Sequence, residues 1–340
     1  MNTETNIGVI GVGRWGPNVI GSLVRVNGVN VKVAADNNQM SLDTLKSRFA
    51  NIATTNNVED LFIREDLDAI AICTPVDTHL ELVFRALNSN KHVFVEKPFG
   101  RDYEDCFNLC KLAEKKGLEI VVGFVFLFNA CILKLKEIID SGELGTIQHL
   151  EAHRTNLGPV RKDVNSVWDL SSHDLSIFDY LLDSIPESVN CIGSCKLDHR
   201  IEDTSYTTFK YSNDILAHAH ASWLNPIKTR KLTVIGSKKM ALWDDLNLEH
   251  PITIYDSSIG MDQHFYSDSF ASHRLSYKRG DVLLPSVSTN EPLLDEMKHF
   301  IDVIRGEAKN RSSGIYGSKQ SKVLSKAENS LKMNGAFLTV

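Results

Sequence analysis

A glycine triplet near the start of the chain constrains the fold most strongly. Gly11-Val12-Gly13-Arg14-Trp15-Gly16 separates an apolar segment at 6–10 from a helical pattern at 17–26. Strand, tight turn and helix form the context that a dinucleotide-binding loop requires. Gly11 allows the turn, Gly13 lets the backbone approach a pyrophosphate, and Gly16 lets the helix pack close to the strand. Methyltransferases and other nucleotide binders carry similar loops, so the triplet alone does not choose the reaction.

Strand and helix patterns then alternate as far as Gly123. Apolar strands are predicted at 29–35, 68–73, 91–95 and 118–122, separated by helical segments. Repeated units at this spacing indicate α/β architecture with a doubly wound parallel sheet. Beyond this point the strand-like segments alternate polar and apolar residues, which is typical of an antiparallel sheet with one open face. We therefore predict a dinucleotide-binding Rossmann domain at 1–123 and a second α/β domain at 124–340.

Asp36 follows the second predicted strand and lies twenty residues after Gly16. A carboxylate at this place binds the adenosine ribose hydroxyls and repels a 2′-phosphate. The residues that follow are Asn37 and Asn38, with no arginine to favour a phosphate. The sequence therefore predicts NAD(H) rather than NADP(H). The alternative is that Asp36 caps the helix predicted at 39–49.

Two later strands also end in chemically distinctive residues. The strand at 68–73 leads into Thr74, Pro75 and, four residues on, His79, and the strand at 91–95 leads into Glu96-Lys97-Pro98. Ligands bind at the carboxyl edge of an open α/β sheet, which places these residues beside a cofactor. The alternatives are a solvated turn for Glu96-Lys97-Pro98 and a solvated or capping role for His79.

The second domain contains a histidine preceded by a carboxylate. Asp169 and His173 are four residues apart in a segment that leads into a helix ending near Leu182. On a helical turn this spacing puts them on one face, and such a histidine can act as a general base near neutral pH. The alternative is a helix-capping Asp169 with a packed or solvated histidine. Asp174 and Asp179 are interpreted as helix-start and helix-surface acids.

Polar residues that precede this segment are candidate substrate ligands: Asn156, Arg161, Lys162 and Asn165. A solvated loop is an equal alternative for Arg161 and Lys162. His218 and His220 alternate on one predicted strand and so face the same side. No acidic third ligand is near them, and we predict sheet packing or an oligomer contact instead of a metal site. The region 257–289 reads as a loop without a legible function.

Composition excludes several classes of function. The net charge of −6 implies no surface for nucleic acid, and no apolar segment is long enough to span a membrane. The chain has six cysteines but no Cys-x-x-Cys pair, so neither a redox motif nor a zinc site is predicted. We expect a reducing, cytoplasmic compartment and no signal peptide after the short polar start.

Taken together, the motifs resemble the glucose–fructose oxidoreductase and inositol dehydrogenase (Gfo/Idh/MocA) family. The matching features occur in the family's order over nearly the whole chain: Gly11-x-Gly13-x-x-Gly16, Asp36, Thr74-Pro75, Glu96-Lys97-Pro98, Ser141-Gly142-x-Leu144-Gly145, Asp169 with His173, and the late segment 291–300. Several independent motifs in order are far more specific than any one of them.

The resemblance implies an NAD-binding Rossmann domain, followed by an α/β domain with a large, open, mainly antiparallel sheet. This domain would bind substrate and form a homodimer or homotetramer. Lys97 matches the catalytic lysine of the family, and Asp169 and His173 match its acidic and histidine members. The implied cofactor ligands are Gly11, Gly13, Arg14, Trp15, Gly16, Asp36, Thr74, Pro75, His79, Glu96, Lys97 and Pro98. The implied substrate ligands are Lys97, Asn156, Arg161, Asn165, Asp169 and His173.

The chain departs from the family around the histidine. The common pattern has glycine two residues before it and aspartate three residues after it, where this chain has Ser171 and Ser176. The form Trp-Asp-Leu-x-x-His-Asp is similar to a branch of bacterial surface-sugar biosynthesis. We therefore expect hydride transfer at a secondary alcohol of a nucleotide sugar, such as a UDP-N-acetylglucosaminuronate 3-dehydrogenase or a 3-ketosugar reductase. The alternatives are an inositol or free-sugar dehydrogenase of catabolism and a catalytically silent NAD-binding regulator.

Overall fold

The computed structural model describes residues 4–262 and 274–340. The chain forms two compact units. The first comprises Met1–Asn129 and Asn290–Ser325, and the second comprises Ala130–Thr289 and Lys326–Val340. The predicted domains at 1–123 and 124–340 are continuous in sequence, whereas the first compact unit also includes a late segment of the chain.

The secondary structure begins with alternating strands and helices. Up to residue 129 the elements are β1 (Thr5–Ile10), α1 (Gly16–Leu23), β2 (Val29–Ala35), α2 (Gln39–Arg48), β3 (Ala53–Thr55), α3 (Glu59–Phe62), β4 (Ala69–Ile72), α4 (His79–Asn88), β5 (His92–Glu96), α5 (Tyr103–Lys116) and β6 (Ile120–Gly123). Short 3₁₀ turns cover Val76–Thr78 and Val125–Phe128.

Strands dominate the middle of the chain. The elements are α6 (Ala130–Asp140), β7 (Ile147–Leu157), a π-helical turn (Val167–Ser171), α7 (Ser172–Leu182), β8 (Ser188–Ser194), β9 (Thr204–Lys210), β10 (Leu216–Ser222), β11 (Leu224–Gly236), β12 (Met240–Asp244), β13 (Ile252–Asp262) and β14 (Arg274–Leu283). The chain ends with α8 (Pro292–Ile304), α9 (Gly314–Lys332) and β15 (Leu338–Thr339).

The sheet of the first unit has the order β3-β2-β1-β4-β5-β6, and its described pairs are all parallel. β4 consists of Ala69-Ile70-Ala71-Ile72, and each of these side chains is fully buried. A continuously apolar strand is expected when helices cover both faces of a parallel sheet. The carboxyl ends of β1, β4 and β5 therefore lie next to one another at one edge, which confirms the predicted Rossmann architecture.

The late helix α8 belongs to the first unit because its apolar face packs into the core of that unit. Met297, Phe300 and Ile301 are fully buried in the cluster that contains the strand residues of β1 and β4. The ring centroids of Phe300 and Phe94 of β5 are 5.7 Å apart. Burial of large side chains such as these is the main favourable term in folding.

The sheet of the second unit has nine strands in the order β14-β13-β12-β11-β7-β10-β9-β8-β15. β7 and β10 run parallel, and the other described pairs are antiparallel. Along β10 the buried residues Ala217, Ala219 and Ala221 alternate with the more exposed His218 and His220. One face of this sheet is thus packed and the other is open, as the alternating pattern predicted.

The expectation of a loop at 257–289 is wrong for much of its described part. β13 and β14 pair antiparallel from Ile254 with Leu283 to Asp262 with Arg274. Gly260, Gly280 and several polar residues weaken the strand pattern in the sequence. β13 and β14 are consecutive strands, and the ladder depends on the pairing between them, which the local propensity of either segment does not reveal. The part of the predicted loop at 263–273 lies outside the described residues.

Candidate active site

The glycine loop between β1 and α1 has the geometry that a dinucleotide requires. Gly11 has a φ of +89°, and a Cβ there would lie 2.8 Å from the carbonyl carbon of Cys73. A Cβ at Gly16 would collide with the carbonyl oxygen of Gly11. A Cβ at Gly13 would meet no described atom within 4 Å. Packing inside the protein therefore explains Gly11 and Gly16, whereas Gly13 leaves open space where a pyrophosphate can approach the backbone.

Asp36 connects the end of β2 to this loop. Its Oδ2 accepts a hydrogen bond of 2.8 Å from the backbone N–H of Val12, and its Oδ1 accepts one of 2.8 Å from Asn38 N–H. Asn38, not Asp36, caps α2, because the Asn38 side chain accepts from Met40 N–H. Each Asp36 oxygen has further lone pairs for hydroxyl donors. The carboxylate is thus held at the loop in a way that suits ribose binding.

His79 joins the ends of β4 and β5. Its side chain is 1% exposed, which excludes the solvated alternative. Its Nδ1 lies 2.8 Å from the carbonyl oxygen of Pro98, and its Nε2 lies 2.8 Å from that of Thr74. Pro75, which follows Thr74, is exposed. His79 therefore positions the two segments predicted to contact the cofactor, and direct contact of its ring with cofactor stays a prediction.

Glu96 links the tip of β5 to the glycine loop. Its Oε1 accepts a hydrogen bond of 2.6 Å from the indole N–H of Trp15. Its Oε2 lies 3.3 Å from the backbone N–H of Lys97, and a Cβ at Gly123 would approach the carboxylate to 3.0 Å. Lys97 is half-buried and precedes the buried Pro98. The lysine therefore follows a strand end that is tied to the nucleotide loop.

Sequence reasoning missed Glu296, a buried acid on α8. The side chain has no exposure, and within the described part of the chain neither carboxyl oxygen has a hydrogen-bond partner. Burial, and then the nearby charge of Glu96, raise the pKa of Glu296 well above its ordinary value. Burial therefore favours the protonated, neutral form of this carboxyl group. Its position between Leu293 and Phe300, at helical spacing on the apolar face, was the sequence signal that could have identified it.

The second unit places Asp169 in the π-helical turn and His173 in the first turn of α7. Asp169 Oδ2 accepts a hydrogen bond of 3.1 Å from the indole N–H of Trp223. Asp169 Oδ1 lies 3.2 Å from Nη1 of Arg161. π-helical turns occur frequently at functional sites. The carboxylate is thus held by two donors, and Trp223 is a contact that sequence reasoning did not assign to the site.

The predicted substrate ligands before this turn have different environments. The Asn156 side chain donates to the carbonyl oxygen of Gly158. Arg161 pairs with Asp163 as well as with Asp169. Asn165 is buried, and its amide group donates to Glu202 and accepts from Trp168 N–H. The geometry favours a structural role for Asn165, whereas Arg161 is part of the Asp169 cluster.

Asp174 lies in the first turn of α7, which confirms its interpretation as a helix-start acid, but the interpretation of Asp179 as a helix-surface acid is wrong. Both are buried on α7. Asp174 Oδ1 lies 2.7 Å from Nη2 and 2.9 Å from Nε of Arg154 on β7. Asp179 accepts a hydrogen bond of 2.6 Å from the hydroxyl of Tyr211. These partners lie far away in sequence, so the helical pattern alone could not predict them.

The histidines of the open sheet face stack with an aromatic residue. The ring centroids of His220 and Tyr206 are 4.3 Å apart and nearly parallel, and Thr208 bonds His218 Nδ1 at 3.2 Å. Burial, and then neighbouring histidines, lower the pKa of His220. Among residues 4–262 and 274–340, no cluster of three or more metal-ligating side chains occurs. In the same part of the chain, no helix is long and apolar enough to cross a membrane.

The glycine loop, the carboxylate at the end of β2 and the parallel sheet define a dinucleotide-binding unit. The family model for an oxidoreductase family with NAD-binding Rossmann fold matches residues 5–124, and the model for the GFO/IDH/MocA C-terminal domain matches residues 132–242. The chain therefore belongs to the Gfo/Idh/MocA oxidoreductase family, and its first unit is an NAD-binding Rossmann domain. The predicted family, fold class and cofactor are confirmed.

Curated relatives and solved structures agree with this assignment. The chain is 26% identical to the uncharacterized oxidoreductase YrbE of Bacillus subtilis, over 64% of this chain and 67% of YrbE. It is 28% identical to inositol 2-dehydrogenase of Salmonella typhimurium, over 52% of this chain and 54% of the relative. The chain thus spans from about half to two thirds of the length of these relatives.

One similar solved structure is WlbA dehydrogenase from Bordetella pertussis in complex with NADH and UDP-GlcNAcA. Its TM-score is 0.79 at 17% identity, with 99% of both chains covered. The similarity to this structure supports the fold.

Proposed function

We propose that this protein transfers a hydride reversibly between NAD(H) and a secondary alcohol carbon of a sugar, most specifically a nucleotide sugar. The observation that carries the proposal is Lys97 at the carboxyl edge of an NAD-binding sheet, directly after Glu96, which is tied to the glycine loop. A cation at this edge can stabilise negative charge that develops on an alcohol oxygen.

The residues of the chain have distinct proposed roles. Bound NAD supplies the hydride acceptor or donor, and the protein binds, orients and moves protons. In the oxidation direction His173 takes the hydroxyl proton as a general base. Lys97 donates a hydrogen bond to the same oxygen. Asp169 orients the imidazole or accepts from a neighbouring sugar hydroxyl.

The glycine loop and Asp36 fit the dinucleotide. Gly13 leaves open space beside the backbone, and α1 begins at Gly16 with Pro17 in its first turn. The unpaired N–H groups of a helix N-terminus favour a pyrophosphate. Asp36 would bind the ribose hydroxyls, and Trp15 contacts Glu96. These residues bind the cofactor, whereas Lys97, His173 and Asp169 take part in the proposed reaction.

A nucleotide sugar is favoured as substrate by two solved structures of the same fold. UDP-N-acetylglucosamine 3-dehydrogenase GnnA from Acidithiobacillus ferrooxidans has a TM-score of 0.79 at 20% identity, with 96% of this chain and 97% of GnnA covered. The WlbA structure holds UDP-GlcNAcA. We therefore propose a 3-dehydrogenase or 3-ketosugar reductase of surface-polysaccharide biosynthesis, acting in the cytoplasm. Inositol 2-dehydrogenase among the relatives supports an inositol or free-sugar dehydrogenase as the second candidate.

A homo-oligomer is also proposed, formed through the open face of the nine-stranded sheet. This face presents Ile192 and Tyr206, which are 54% and 42% exposed. Apolar side chains that remain exposed on the open face of a sheet are typical of association surfaces. Light scattering of the purified protein should give a mass at least twice 38.0 kDa. A monomer at micromolar concentration would contradict this part of the proposal.

The decisive experiment follows nicotinamide absorbance with NAD and NADH against UDP-, dTDP- and free sugars and inositols. Lys97→Met should lower kcat by roughly a hundredfold to a thousandfold, with the affinity for NAD nearly unchanged. Lys46→Met, at an exposed lysine of the same unit, is the matched control and should behave like the wild type. Turnover only on inositol or free sugars would favour the second candidate. NAD binding without turnover on any substrate would favour a silent regulator.

A further inference from the structure

We infer that Trp223 and Arg161 are positioning residues that hold Asp169 as a fixed, ionised hydrogen-bond acceptor. The inference rests on the proposed function, because it assigns a task to residues around a proposed active-site carboxylate. It excludes a role for Asp169 as the group that carries the proton away from the substrate. The carboxylate instead accepts from the His173 imidazole or from a substrate hydroxyl.

Trp223 is anchored at three atoms. It lies between β10 and β11, and its side chain is 1% exposed. Its backbone N–H donates to Asp203 O at 2.9 Å, and its carbonyl oxygen accepts from Gly158 N–H at 2.8 Å. Its indole N–H donates to Asp169 Oδ2 at 3.1 Å. The indole ring cannot rotate away from Asp169 without losing its packing contacts, so its N–H is held in place as a donor to the carboxylate.

Arg161 supplies the donor on the other side. Its Nη1 lies 3.2 Å from Asp169 Oδ1, while its Nε lies 3.0 Å from Asp163 Oδ1. Burial works against the charge of Arg161, but the hydrogen bond to Asp163 and the charge of Asp169 outweigh it, so the pKa of Arg161 is raised. The guanidinium is therefore a permanent cation, and Asp163 holds its far edge in place.

Donors on both oxygens have a chemical consequence. Hydrogen bonds to a carboxylate favour its charged form, and two donors in different directions restrict its rotation. A carboxylate has about four lone-pair sites, so donors other than these two can also bind it. Arg161 joins Asp169 and Asp163 in one charged cluster. Asp169 is thus suited to orient a partner rather than to exchange protons.

Trp223→Phe tests the indole donor with little change in ring burial. The loss of one hydrogen bond to a charged group should lower kcat roughly tenfold to a hundredfold, with KM for NAD unchanged. The pH–rate profile should also change, because Asp169 would lose one of the two donors that fix its carboxylate. Trp243→Phe is the matched control, because this buried indole contacts Cys131. It should leave kcat and the pH profile unchanged.

The effects of substitutions at Trp223 and Arg161 should both depend on the presence of the Asp169 carboxylate. In an Asp169→Asn background, Trp223→Phe and Arg161→Met should lower kcat by a much smaller factor than they do in the wild type. The reason is that the effects of residues that act through one group are not additive. Arg161→Lys should recover part of the activity lost in Arg161→Met. Equal decreases in kcat in both backgrounds would show that Trp223 and Arg161 act only through the general stability of the protein. That result would overturn the inference.

A measurement that needs no substrate separates this inference from the proposed function. The chain has four tryptophans, so protein labelled with ¹⁵N at the indole nitrogen gives four N–H signals. Asp169→Asn should move one signal strongly, and Trp223→Phe should remove that same signal. Four signals that are insensitive to Asp169→Asn would overturn the inference even if the enzyme is active. The expected shift would support it even if the sugar substrate has not been found.

If Trp223→Phe does not fold, the response of the signals to Asp169→Asn and Arg161→Met decides.

Discussion

Two buried carboxyl groups show how each unit of this protein accommodates an acid away from water. Asp174 on α7 lies against the Arg154 guanidinium, at 2.7 and 2.9 Å. Burial raises the pKa of Asp174, and Arg154 opposes that shift. Glu296 on α8 has no hydrogen-bond partner among the described residues, and burial together with Glu96 raises its pKa well above the ordinary value.

The difference lies in what compensates for the loss of hydration. A buried charge is tolerated when an opposite charge and hydrogen bonds replace water. A buried acid without such a partner takes up a proton instead. The charge of Asp174 therefore depends mainly on Arg154, with a smaller contribution from Arg230, while the protonation of Glu296 depends on pH. Substitutions that exploit this difference should have unequal effects on the free energy of unfolding.

Removal of the partner of Asp174 should have the largest effect. Arg154→Met would leave a buried carboxyl group without its cation and should lower the free energy of unfolding by about 3–5 kcal/mol. Urea denaturation at pH 7 measures this loss. The double variant Arg154→Met/Asp174→Asn should recover much of it, since the uncompensated charge is gone. A single variant as stable as the wild type would show that the ion pair does not hold Asp174.

Glu296→Gln should change the pH dependence of stability. The pKa of Glu296 is raised in the folded state, so its contribution is fully present below the unfolded pKa of about 4.3. That contribution is lost as pH rises toward the folded pKa. Glutamine does not titrate, so the stability of the variant relative to the wild type should grow by up to about 1.4 kcal/mol per pH unit from roughly pH 5 up to the raised pKa of the folded state.

Urea denaturation at pH 5, 6, 7 and 8 measures this slope. Glu291→Gln on the same helix is the control. The Arg25 guanidinium lowers the pKa of Glu291 through hydrogen bonding, so this group is ionised in both states over that range and its variant should show a flat difference. A flat difference for Glu296→Gln as well would mean that Glu296 is ionised in the folded protein.

The smallest effect is expected at an ion pair on the surface. Arg25 and Glu291 are 2.5 Å apart, but their side chains are 50% and 62% exposed. Water already solvates both charges, and salt screens their attraction. Arg25→Gln should therefore leave the urea midpoint unchanged at physiological salt. A midpoint shift comparable to that of Arg154→Met would show that exposure does not separate these two ion pairs.

The local pattern of the sequence predicted the first unit well. Glycines at fixed spacing, continuous apolar strands and helical periodicity are properties of neighbouring residues, so they identified β1, α1, β2 and the position of Asp36. The same reasoning located the segment that contains Asp169 and His173. It also recognised the late helical segment 292–305, although it assigned no role to Glu296.

Partners that lie far apart in sequence could not be predicted in this way. The helical pattern placed Asp174 correctly at a helix start but could not show its pairing with Arg154, which precedes it by twenty residues. The packing of Phe300 on Phe94 likewise joins distant segments, and the ladder between the consecutive strands β13 and β14 depends on pairing that neither segment shows alone. Whether a polar residue is exposed, paired or neutral depends on which elements cover it, and helical period alone does not contain that information.

The sequence by itself therefore determined the family, the dinucleotide fold and the residue types of the proposed chemistry, because these follow from local spacing. Only the tertiary structure decided that His79 holds two strand ends and that Trp223 and Arg161 hold Asp169. It also decided that Glu296 is buried without a hydrogen-bond partner among residues 4–262 and 274–340. The physical reason is that desolvation and hydrogen-bond geometry act through space, between groups that only the folded chain brings together.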